Sequence, residues 1–182
     1  MEDPADEFAA LASEIAERAQ AGGLQVATAE SLTSGGIANA LGAAPDASGW
    51  FRGGVVAYAE SVKRDVLGVR AEQVASAQCA RELAAGVARL LDAEATVAVT
   101  GVGGPEPEGD EPAGSVYAAV FVRGDIRDAH FQFDADDPSV VVHRTVRAAL
   151  ELLRDALPPA SDSSATEDAS AQVSTGESPH QP

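Results

Sequence analysis

"LQVATAESLTSGGIANALGAA", residues 24–44, changes its hydrophobic period halfway along. Residues 24–29 form a short apolar run of strand character. From residue 30 onward, Ser31 and Thr33 precede apolar positions that recur at helical spacing, with the two hydroxyls placed as caps. A strand that feeds straight into a helix is the opening half of a β–α–β unit, and the chain repeats the pattern. "GGVVAYA" (53–59) reads as a strand, followed by "ESVKRDVLGV" (60–69), a short helix ended by Gly68. "SAQCARELAAGVARLLDA" (76–93) places Cys79, Leu83, Val87 and Leu90 on one helical face, and "ATVAVTGV" (95–102) follows as a buried-type strand. Upstream, Phe8, Leu11, Ile15 and Ala19 predict a helix over 6–21 that "AGG" terminates. Downstream, "SVYAAVFV" (115–122) and "DIRDAHFQF" (125–133) predict a hairpin reversing near Gly124, and a helix over 138–157 closes the fold. Strands alternating with helices and one late hairpin predict an α/β three-layer sandwich. Its sheet is mostly parallel with a late antiparallel hairpin, and helices cover both faces. The folded domain is expected over 1–157. Residues 158–182, rich in Ser, Thr, Asp, Glu and Pro, are expected to be a disordered acidic tail.

The 182 residues suffice for one domain with a proper core, and 45% of them are apolar. A net charge of −17 repels nucleic acid and anionic membrane, so both partners are disfavoured. Acid excess spread along the chain, with lysine almost absent, fits a protein adapted to a salt-rich cytosol. The single cysteine, Cys79, excludes an intramolecular disulfide and any multi-cysteine zinc site. It is expected in a helix core. The start, "MEDPADEFAA", has no basic region followed by an apolar run, and no window reaches membrane-spanning length, so a cytoplasmic location is expected.

In an open α/β sheet, ligands collect where strand carboxyl ends meet loops and helix N-termini. Three segments are candidates. "TAESLTSGG" offers Ser31 and Thr33 at a helix start, where unpaired N–H groups favour an anion such as a phosphate, although an ordinary capped helix explains the same residues. "VTGVGGPEPEGD" sets Thr100 and Gly101 directly after a strand. It matches neither a phosphate-binding P-loop nor a dinucleotide fingerprint, and its acidic run reads as a solvated loop rather than a metal site. The third segment holds Ser48, Trp50, Arg52, Tyr58 and Lys63. Lys63 is the only lysine in the chain, and an amine, unlike a guanidinium, serves as a base once its pKa is depressed. A serine with a lysine or tyrosine base is a nucleophilic pair. His130, His143 and His180 default to structural or solvated roles.

Together, "TAESLTSGGIANAL", "SGWFRGGVVAYAESVKRDVLGV" and "VAVTGVGGPEPEGDEPAGSVYAAV" resemble the CinA C-terminal domain family, the nicotinamide-nucleotide amidohydrolases, over roughly residues 8–157. The resemblance implies deamidation of nicotinamide mononucleotide to nicotinate mononucleotide and ammonia, without metal or other cofactor, by a homodimer acting on a small-molecule nucleotide. It assigns Ser48 as nucleophile and Tyr58 with Lys63 as the activating pair. Ser31 and Thr33 are expected to hold substrate, and Thr100 and Gly101 to line its amide or phosphate end. Leu32, Ser34, Asp46, Ala47 and Glu60 depart from the family pattern. The family's arginine early in the last helix is replaced near Val142 and His143, with Arg144 or Arg147 as the nearest stand-ins. A catalytically idle nucleotide-binding module is the competing expectation.

Overall fold

The structure, a computed structural model, describes residues 4–133 and 137–160. The chain runs α1 (Pro4–Gly22), β1 (Val26–Glu30), α2 (Gly36–Gly42), α3 (Ala47–Trp50), β2 (Phe51–Val56), α4 (Glu60–Asp65), α5 (Ala77–Leu91), β3 (Ala95–Gly101), β4 (Ser115–Val122), β5 (Asp125–Gln132) and α6 (Pro138–Ala156). The strands form one sheet in the order β2-β1-β3-β4-β5. β1 is parallel to both β2 and β3, β4 is antiparallel to β3, and β5 is antiparallel to β4. β5 therefore regains the common direction and β4 alone opposes it, which is the predicted mostly parallel sheet with a late hairpin.

The strands sort their side chains by face, as a period of two requires. Val26, Val97, Val99, Val116 and Val120 join a core with Ile15 of α1, Ile37 and Leu41 of α2, Trp50 of α3 and Leu150 and Leu153 of α6. Ala27, Ala29, Ala98 and Ala119 point the other way, against Cys79, Leu83 and Val87 of α5. Valines on one face fill the wider space beneath several helices, while alanines on the other let α5 lie close to the sheet. Gly86 of α5 lets the segment after α4 pass close over the helix, because a β-carbon there would collide with the carbonyl oxygen of Leu67.

Two local readings are corrected. Residues 47–50 form a helical turn that the sequence reading missed, so β2 begins at Phe51 and ends at Val56 rather than spanning 53–59. The helix expected from residue 30 begins only at Gly36, and its N-cap, Gly35, makes no side-chain cap. Its N-terminal donors go to Glu30 instead. That carboxylate is fully buried, accepts from the backbone N–H groups of Gly35 (3.1 Å), Ile37 (3.0 Å) and Ala38 (2.8 Å), and receives the Thr33 hydroxyl at 2.6 Å. The place anticipated for a substrate phosphate is thus filled by the chain's own anion, seated where the helix dipole favours one. Glu30→Ala would strand these buried donors. We expect it to cost about 2–4 kcal/mol in urea denaturation with an unchanged m-value, and a loss below about 0.5 kcal/mol would show that the carboxylate does not hold this turn. Of the expected tail, residues 158–160 carry no regular structure, and 161–182, including His180, lie outside the described residues.

Candidate active site

β1, β2 and β3 all end at the same edge of the sheet, and a cavity of about 520 Å³ opens there. The segment after β1 contributes Ser31 and Leu32, and that after β2 contributes Tyr58, Glu60 and Lys63. The end of β3 supplies Thr100 and Gly101, the turn after it supplies residues between Val102 and Glu108, and Pro138 and Val142 of α6 close one side.

Lys63 sits on α4 with only 3% of its surface exposed, and its Nζ donates to the backbone carbonyl of Tyr58 at 3.0 Å. Burial pushes the amine below the ordinary lysine value, and interactions with Cys79, Glu108 and Glu60 oppose that shift without reversing it. Beneath it, the buried Cys79 thiol at the start of α5 is raised to about 11, chiefly by desolvation, and so stays neutral near pH 7. The side chain of Tyr58, by contrast, is 68% exposed. Its bond to Lys63 runs through the backbone carbonyl, not the phenol.

The predicted site residues divide into two groups. Ser31, Tyr58, Lys63, Thr100 and Gly101 all line the cavity. Ser31 is 8% exposed and Thr100 is 2% exposed, with its hydroxyl given to the carbonyl of Val74 at 2.7 Å. Gly101 has φ +151° and packs so closely that a β-carbon would run into the Ser115 carbonyl oxygen, so the strand exit there requires glycine. Thr33 is buried behind the wall, its hydroxyl committed to Glu30. Ser48 is exposed on α3, ahead of β2, whereas Tyr58 and Lys63 follow β2. The six residues of β2 put roughly 17 Å between those ends of the strand. Within one chain, then, Ser48 is not brought to Lys63, and the serine that lines the cavity with the amine is Ser31. The available signal was positional: Ser31 immediately follows the carboxyl end of β1, where parallel sheets gather their chemistry. Arg144 is exposed on α6 and does not line the cavity, and Arg147 bonds to Glu151 at 3.0 Å.

The acidic turn is anchored rather than loose. Residues Glu108 and Glu111 pair their backbones in both directions, at 3.0 and 3.1 Å. The Glu111 carboxylate accepts from the Ser115 hydroxyl at 2.8 Å and from the Tyr117 hydroxyl at 3.2 Å. His130 lies 3.0 Å from the Ser115 hydroxyl through Nε2 and stacks on Tyr117 at 4.4 Å between ring centroids. Among the described residues, no group of three or more His, Cys, Asp or Glu side chains could hold a metal, and no helix is long and apolar enough to cross a membrane.

Comparison of the whole chain with known proteins points to one family. The model of the CinA C-terminal domain matches residues 8–157. The protein YdeJ of Escherichia coli is 36% identical over 149 residues, covering 79% of this chain and 86% of YdeJ. The CinA-like protein of Frankia casuarinae is 37% identical over 134 residues, covering 71% of this chain but 31% of that protein. This chain spans about a third of the length of several such longer relatives. Among solved structures, the competence-damaged protein (CinA) superfamily protein of Escherichia coli superposes with TM-score 0.77 at 35% identity, covering 80% of this chain and 88% of that one. Competence damage-inducible protein A of Klebsiella pneumoniae does so with TM-score 0.77 at 37% identity, over 82% and 96%.

Proposed function

Because this chain belongs to the CinA C-terminal domain family, we propose that it is an amidohydrolase that cleaves the carboxamide of a nicotinamide nucleotide or nucleoside with a serine–lysine pair. One observation carries the reading: a nearly buried lysine, 3% exposed, lines the same cavity as the Ser31 hydroxyl. A serine needs a base to become a nucleophile, and burial lowers the Lys63 amine below the ordinary lysine value, so it gives up its proton more readily than a solvated lysine.

In this scheme neutral Lys63 takes the Ser31 proton as Oγ attacks the carboxamide carbon. The tetrahedral adduct collapses by breaking the C–N bond, and the proton held by Lys63 passes to the departing nitrogen, which leaves as ammonia. Water then attacks the Ser31 ester with Lys63 again as base, releasing the carboxylate and restoring the hydroxyl. The glycines at 101, 103 and 104 let the substrate come close to the backbone wall. Ser31 thus replaces Ser48 in the nucleophile's role, and Tyr58 supports Lys63 through its backbone carbonyl.

Ammonia release from nicotinamide mononucleotide or its dephosphorylated nucleoside, by folded protein in dilute and in molar salt, tests the proposal. Release from either supports hydrolysis. Silence from both at every salt concentration rejects it and leaves a binding module.

A further inference from the structure

Among the described residues, the charged side chains on the cavity wall are Glu60, Lys63, Glu106 and Glu108. Glu60 is balanced by Arg64, whose Nε donates to it at 2.8 Å. Glu106 and Glu108 are exposed at the mouth, and no described residue forms an ion pair with either. No arginine lines the cavity, Arg144 included. The α2 N-terminus, which could have received a phosphate, already holds the Glu30 carboxylate. The position of the acidic turn is fixed by the bonds of Glu111 to Ser115 and Tyr117, so Glu108 stands at the mouth as part of the built wall.

A ligand phosphate carries close to two negative charges at neutral pH, and in this mouth it would meet carboxylates with a single, nearly buried amine to offset them. An N-ribosyl pyridinium without phosphate carries one positive charge and meets the same carboxylates favourably. We infer that the Glu106–Glu108 rim makes this site select a phosphate-free, cationic pyridinium carboxamide nucleoside over the corresponding nucleotide. The inference rests on the site proposed above and narrows its substrate class.

Calorimetric titration of the full chain with nicotinamide riboside and with nicotinamide mononucleotide tests it by binding, separately from turnover. At 0.1 M KCl the nucleoside is expected to bind at least about tenfold more tightly. In 1 M KCl, where charges are screened beyond about 3 Å, the preference should fall to about threefold or less. The Glu106→Gln/Glu108→Gln double variant, compared at one salt concentration at which circular dichroism shows both proteins folded, should lose most of the preference. Equal or tighter binding of the nucleotide at low salt, no binding of the nucleoside, or an unchanged ratio in the double variant would overturn the inference. Ammonia measured on the same samples reports on hydrolysis itself. A nucleotide-preferring enzyme would defeat only the rim's role, and a silent protein with the expected binding ratio would defeat only the hydrolysis.

Discussion

Lys63→Arg is expected to lower turnover by about 10³-fold while leaving a folded protein, because a guanidinium keeps its proton at any working pH and cannot serve as base. The site is tight, with the native side chain 3% exposed, so Lys63→Met is the companion variant. It removes both the charge and the proton acceptor at similar volume. Losing the bond to the Tyr58 carbonyl is offset by no longer burying an amine, so its stability should stay within about 1 kcal/mol of the parent. Wild-type rates in either variant would remove the amine from the chemistry. The pH dependence follows from the same burial. The rate should climb through an ionisation below the ordinary lysine value of 10.5, as neutral amine accumulates. Stability has a definite sign too: the unfolded chain binds the extra proton between the lowered folded value and 10.5, so the folded state gains stability as pH rises across that interval. Cys79 acts oppositely between 9.0 and about 11, because there the folded state holds the proton, so the lysine contribution is best read below pH 9.

Ser31→Ala should abolish turnover by about 10³-fold or more, in the range of other serine hydrolases that lose their nucleophile. Ser48→Ala should keep activity within about twofold, since this exposed residue precedes the strand whose far end leads to the cavity. The contrast is diagnostic, because both changes remove one hydroxyl. The reverse pattern, with Ser48→Ala inactive and Ser31→Ala normal, would show that the cavity at the strand ends is not the reacting centre of a single chain.

Much of the architecture was legible from period alone. The buried-type run of β3, the one-sided apolar face of α5 and the Gly124 reversal each state their structure locally. Lys63 was legible for a different reason, since a chain that uses arginine elsewhere keeps one amine where an amine's chemistry differs. What stayed hidden depends on tertiary placement. The α3 turn is four residues long, too short for a helical period to register. That Glu30 turns inward to cap α2 cannot be read from a glutamate at a strand end, which is ordinarily solvated. The two serines are chemically alike in sequence. Only the sheet decides between them, by putting one at the carboxyl end of β1 and the other ahead of the amino end of β2.

The most direct measurement is the mass of the protein and its peptides after acid-quenching a reaction with the carboxamide substrate. The account requires an acyl adduct on the peptide containing Ser31, formed with release of ammonia and absent from Ser31→Ala. An adduct on the peptide containing Ser48, or undiminished ammonia release from Ser31→Ala, would contradict it.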